Sequence, residues 1–325
     1  MIAFVLIALA AGGASALMFA SIISGALISL VLFYLAPLPL MVATLAWGPL
    51  CGTVGGIAAA AGLGAMFGLP YCLAFAITIA LPAWWLGHLA LLGRPATAAS
   101  HAPGVGAPAG AAAIEWYPVG RILVWITIFA SLSTMAALLT LGTDAASIID
   151  ALRQFMLRIL EQREGAVNAD TDRLIDSLVI VAPAAAAGVA MLTLTLNLWL
   201  AGKITATSGR LSRPWPDLKG VTLPPMTLAA LCTAIAFCFS GGLAAIGARS
   251  LTSALLLAYA LVGFAVLHTL SIALKNRAFW LVSAYAVAVI FIWPALALVA
   301  LGLADAVFGF RQRFLRGRPP PLPVP

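Results

Sequence analysis

The sequence predicts an all-α, polytopic membrane protein: a bundle of about eight transmembrane helices, plus one amphipathic helix at the membrane interface. Three observations carry this. The first 93 of 325 residues contain no Asp, Glu, Lys or Arg, and the first formal charge is Arg94. A water-soluble fold cannot present that much uncharged chain, because its surface would be one apolar patch. The composition is 63% hydrophobic and 8% charged, with a mean hydropathy of +1.11, which is that of the membrane class. The apolar runs are also continuous rather than alternating, so they read as helices and not as barrel strands.

Charge-free windows set the spans. They cover 1–93, 122–143, 177–202, 220–248, 250–274 and 278–304. Pro37 with Pro39, and Gly68-Leu69-Pro70, divide the first window. The expected spans lie near 3–34, 40–62, 70–92, 119–142, 175–201, 225–247, 251–274 and 279–304, within a single membrane domain over 1–310. The first and last exceed the roughly 20 residues needed to cross a bilayer, so each is expected to tilt or bend. Gly12-Gly13 and Trp293-Pro294 are the expected bend points. The first run lacks a positive leader and outlasts a secretory h-region, so a retained first span is expected.

The connectors differ in kind. Residues 94–114 are nearly all Ala, Gly, Pro, Ser and Thr, a flexible linker. It leads into Glu115-Trp116-Tyr117-Pro118, where the aromatic pair suits headgroup level and Pro118 suits the first turn of a helix. Residues 147–163 are amphipathic: Ile148, Ile149, Leu152, Phe155, Met156 and Ile159 share one face, opposite Asp150, Arg153, Arg158 and Glu161. Ser147 with Asp150 marks a helix start. A helix lying in the interface plane is expected, with a solvated hairpin packed on the bundle as the alternative. Residues 311–325 form a basic, proline-rich tail.

The net charge of +7 is distributed over connectors and tail, where it serves orientation and anionic headgroups rather than nucleic acid. Orientation itself is nearly balanced. With eight spans one side receives nine basic residues, including Arg311, Arg313, Arg316 and Arg318; the other receives eight. The uninterrupted tail arginines favour a cytoplasmic C-terminus. Cys51, Cys72, Cys232 and Cys238 lie in apolar stretches without metal-site spacing and read as packing residues.

Small residues recur every four positions at Gly48, Gly52, Gly56, Ala60, Gly64 and Gly68, and again at Gly12, Ala16, Ala20 and Ser24. Such stripes let membrane helices approach closely. Gly48, Gly52, Gly56, Ala16 and Ala20 are therefore expected to form either a packing face within the protein or a docking face for a membrane protein partner. Polar side chains within the spans are few. Thr193 and Asn197 share a helical face, Trp199 follows them, His268 lies two turns inside Lys275, and Trp84 and Trp85 precede His88. Polar groups in hydrocarbon lean toward function, although Asn and His also serve as interhelical glue. Thr193, Asn197, Trp199, His268 and Trp84 are the candidate ligand residues. No span core holds an acid, which argues against a proton- or sodium-coupled carrier. Zinc-protease, phosphate-loop and nucleophile-elbow motifs are missing, so no catalytic residue, metal or cofactor is expected.

Several segments carry a family resemblance. They are Ala16 to Pro39, Trp47-Gly48-Pro49, Leu81 to Leu86, Glu115 to Arg121, Leu196 to Ala201, and the last span with Trp280, Tyr285 and Gly309-Phe310-Arg311. Together they resemble the YybS-like family of bacterial membrane proteins, a domain of unknown function. The N-terminal part is similar to the substrate-binding membrane subunits of energy-coupling factor transporters, which dock on a partner through small residues of their first helix. Ala16 and Ala20 match such a face. The resemblance implies a bacterial inner-membrane protein. It further implies a transport-related, substrate-binding subunit that needs a separate energising partner such as an ATPase complex. The second reading is a membrane scaffold or regulatory protein that binds other membrane proteins and no ligand.

Overall fold

The computed structural model describes residues 1–95, 114–164, 169–273, 275–291, 293–311 and 313. The fold is an all-α helical bundle in which, among the described residues, seven helices are long and apolar enough to cross a membrane. The chain divides into two compact units instead of the single domain expected over 1–310. One is Met1–Phe129 with Val189–Trp215, the other Ala130–Gly188 with Pro216–Pro325.

The first unit opens with four antiparallel crossings where the sequence predicted three. Helix α1 (Ile2–Ala20) runs into a 3-10 turn at Ser21–Ser24 and ends at Gly25, whose φ of 67° is left-handed. Helices α2 (Leu27–Leu35) and α3 (Pro37–Trp47) then form one crossing over Leu27–Trp47. The expected span at 3–34 is therefore two helices, and Pro37 does not divide them. It sits at the first turn of α3, where its missing N–H costs nothing. Gly48 closes α3 at φ 91° and Gly68 closes α4 (Pro49–Phe67) at φ 89°. Both glycines thus occupy turns, not a packing stripe.

Helices α5 (Leu69–Phe75) and α6 (Leu81–Leu91) are joined by a π-helical segment, Ala76–Ala80. Pro82 explains it: Pro82 cannot donate to the Thr78 carbonyl, and the helix widens there. Gly93–Pro95 (β1) and Ile114–Trp116 (β2) pair antiparallel and lead into α7 (Val119–Leu139). The ends of the expected linker are thus tied together, and its middle, 96–113, lies outside the described residues.

Helix α8 (Ala145–Glu164) contains the amphipathic segment. Its apolar residues divide between two environments. Ile148 is buried with Leu138 and Ile246, and Leu152 packs on that cluster, whereas Ile149, Phe155 and Ile159 are exposed. Arg153 reaches Asp172 and Asp176 at 3.5 and 3.3 Å on α9 (Ala169–Thr207). One edge of α8 is therefore bound to protein, in line with the packed alternative.

The next boundary differs from expectation. Helix α10 (Met226–Phe237) is short, Gly241 and Gly242 turn the chain with φ of 84° and 62°, and α11 (Gly242–Leu270) follows. Arg249, which suggested a connector, lies within α11. The expected span at 279–304 is two helices, α12 (Arg277–Ile290) and α13 (Trp293–Phe308). Phe291 is extended between them, next to the predicted bend. Helix α13 lies antiparallel on α11: Gly263 faces the Leu298 carbonyl and Gly302 faces the Tyr259 carbonyl, each too closely for a Cβ. Four residues forward on α13 are four back on α11. Trp293 therefore lies near the level of Leu270, and α12 returns the chain to the end of α11 that it left.

Candidate functional site

Small residues first set how closely the helices of the first unit lie. The buried face of α1 is Ala8, Gly12, Ser15 and Phe19. A Cβ on Gly55 would stand 2.5 Å from the Ala8 carbonyl oxygen, and one on Gly12 would collide with the Gly55 carbonyl. Helix α1 thus passes unbroken through Gly12-Gly13, and Gly12 is a crossing point instead of a bend. Ala16 and Ala20 are only half-buried. A strict four-residue step rotates about 40° per step around a helix, so the Ala16/Ala20 stripe drifts off the packed face. Gly52 and Gly56 are buried inside the unit, against Thr44 and Ala80. They form an internal packing face and are not available for docking.

Asn197 is 2% exposed. Its Nδ2 donates to the Tyr34 carbonyl at 2.8 Å and to the Thr193 carbonyl at 2.7 Å. Two carbonyl acceptors fix the orientation of the amide. The Tyr34 carbonyl belongs to the last turn of α2. Nearby, Ser15 Oγ donates to the Ala36 carbonyl at 2.6 Å. Side chains of α1 and α9 thus both bind carbonyls at the α2–α3 junction.

Among the described residues the Asn197 amide oxygen has no hydrogen-bond partner. It is buried, as are Thr195 Oγ1 and Trp85 Nε1, which also lack partners among the described residues. An unpaired buried polar group costs about 1–3 kcal/mol, so each of these atoms is a place where a further hydrogen-bond donor or acceptor would be stabilising. Trp84 stacks on His88 with ring centroids 6.0 Å apart, and Trp85 meets Trp125 edge-on at 5.2 Å. Trp199 is 44% exposed, and Lys203 Nζ lies 6.0 Å from its ring. Thr193 contributes its carbonyl to the Asn197 contact.

His268 belongs to the second unit. Its Nε2 lies 2.8 Å from Tyr285 Oη, and Phe264 stacks on Tyr285 at 4.8 Å. The same unit holds an ion pair that the sequence reading did not find. Arg311 binds Asp305 at 2.7 Å with both side chains 6% exposed, and donates from Nη1 to the Lys219 carbonyl at 2.7 Å. Arg311 is therefore a buried anchor and not the first residue of a solvated tail. Among the described residues, no cluster of three or more His, Cys, Asp or Glu could hold a metal ion.

No family model, no curated protein and no solved structure matches the chain.

Proposed function

We propose that the protein is a small-molecule-binding, transport-related subunit of a bacterial inner membrane, without catalysis of its own and energised by a separate partner. One observation carries the reading: the Asn197 amide oxygen is buried on α9 with no hydrogen-bond partner among the described residues, although both amide hydrogens are engaged. A ligand donor at this oxygen would supply the missing bond. Thr195 Oγ1 and Trp85 Nε1 offer further unmatched polar atoms in the same unit. The resemblance to membrane subunits that capture a solute for a separate ATPase supports the same reading. The scaffold reading rests on the glycine stripe and the amphipathic helix; Gly52 and Gly56 are spent on internal packing, while Ile149, Phe155 and Ile159 of α8 are exposed.

Native mass spectrometry of the detergent-purified chain tests the proposal, with Asn197→Leu beside the wild type. The wild type is expected to carry a small-molecule adduct that the variant lacks. A folded wild type free of any adduct, before and after incubation with cell extract metabolites, would contradict it.

A further inference from the structure

One end of the first unit gathers cations, two of them over aromatic rings. Thr44 and Gly52 each lie four residues from the Gly48 turn. Gly56 faces Ala80 and Gly64 faces Cys72, each pair equidistant from Gly68. The three crossings therefore alternate in direction, and α3 and α6 run parallel. Thr44 also abuts Gly87, where a Cβ would stand 2.6 Å from Thr44 Cγ2. Three residues further on in each helix, Trp47 and Ala90 lie side by side at the same end.

Onto this end folds the segment that follows α9. Gly209 is left-handed at φ 69°, and the N–H groups of Arg210 and Leu211 return to the Thr205 carbonyl. Arg210 then lies 4.7 Å over the Trp47 ring. Arg213 Nη1 donates to the Ala90 carbonyl at 3.3 Å. Trp215 comes back against Gly202, and Lys203 Nζ sits 4.0 Å over its ring. Among the described residues none of these three cations has a carboxylate partner. Glu115, on the adjoining strand pair, is held by Arg94 at 2.8 Å. Arg213 is half-buried, and burial without an anion lowers its pKa. Aromatic rings and cations together mark headgroup depth.

We infer that Lys203, Arg210 and Arg213 form a binding site for a phosphate-ester anion, the headgroup of an anionic phospholipid. Guanidinium groups match phosphate geometry, and the rings fix the cations facing the headgroup layer. The opposite end of the unit, at Ser21–Ala26 and Gly68, carries no charge at all. The contrast puts the cation cluster on the cytoplasmic side.

The test titrates the purified full chain in neutral detergent with phosphatidylglycerol, phosphatidylcholine or inorganic phosphate, read by tryptophan fluorescence and native mass spectrometry. Saturable binding of phosphatidylglycerol, absent for phosphatidylcholine, is expected. Arg210→Gln and Arg213→Gln should each weaken it roughly fivefold. The triple variant with Lys203→Gln should lose it, and Arg153→Gln with Arg158→Gln should leave it unchanged. The single variants keep the test informative if the triple variant does not fold. Displacement by millimolar inorganic phosphate would assign the site to free phosphate and overturn the lipid assignment. Equal binding of both lipids, or equal binding by wild type and single variants, would overturn the site itself.

Discussion

The Thr44 side chain occupies the space that a Cβ on Gly52 would need. The two residues lie four positions before and after Gly48, so this contact sets the register of the α3–α4 hairpin. Thr44 Oγ1 also returns a hydrogen bond of 2.7 Å to the Leu40 carbonyl, which holds the side chain in place. Gly87 of α6 receives the other side of the same threonine. Three helices therefore pack around one small polar residue, as membrane helices do without a hydrophobic drive between them.

Substitution at Gly52 should accordingly be costly. Gly52→Leu is expected to destabilise the detergent-solubilised protein by about 1–3 kcal/mol or more, because it forces helices apart. A Cβ on Gly62 of the same helix meets nothing within 4 Å, so Gly62→Ala should be close to neutral. Thermal unfolding of the two variants checks the contrast, and equal melting temperatures would contradict the packing.

The four-crossing opening predicts an accessible turn at Ser24–Gly25. In a chain whose native cysteines are replaced, Ser24→Cys should react with a membrane-impermeant maleimide from the side opposite Trp47→Cys. Three crossings would bury residue 24 in hydrocarbon and leave it unreactive.

The Asp305–Arg311 pair is buried, whereas the Arg94–Glu115 pair has side chains 76% and 45% exposed. Removing one partner of a buried pair strands a charge. Arg311→Gln is expected to cost about 3–5 kcal/mol, against about 0–1 kcal/mol for Arg94→Gln. Denaturation midpoints of the two variants decide it, and a negligible effect at Arg311 would contradict its anchoring role.

Helix α8 is predicted to be bound along one edge only. Ile148→Ala opens a cavity against Leu138 and Ile246 and should cost about 2–5 kcal/mol. Phe155→Ala, at a side chain 57% exposed, should cost far less. A spin label at Leu152 should report protein contact and one at Phe155 a mobile environment. Equal mobility at both would contradict the packed edge.

Much of the fold was legible because apolar length and charge are local properties. The charge-free windows 122–143 and 177–202 fall within α7 and α9 to within a few residues, and the break beside Trp293-Pro294 followed from proline chemistry. The turn at Gly25 was hidden because Ser21–Ala26 carries no charge, and Pro37 looked like the stronger signal. Arg249 misled in the opposite sense: a lone arginine in α11 resembled a connector, while the actual turn was Gly241-Gly242. The α1 face was misplaced because a four-residue stripe drifts around a helix, whereas Ala8, Gly12, Ser15 and Phe19 follow its true period. Asn197 was visible as an unusual residue. Its partner Tyr34, 163 positions away, was not, nor was its unpaired oxygen, since both depend on tertiary contacts.

The central claim is that Asn197 Oδ1 receives a ligand. A cryo-electron microscopy map of the chain purified with its endogenous ligand, at a resolution that shows side chains, tests it most directly. The account predicts non-protein density larger than a water within about 3 Å of that oxygen. A single water there, or a donor from the protein itself, would contradict it.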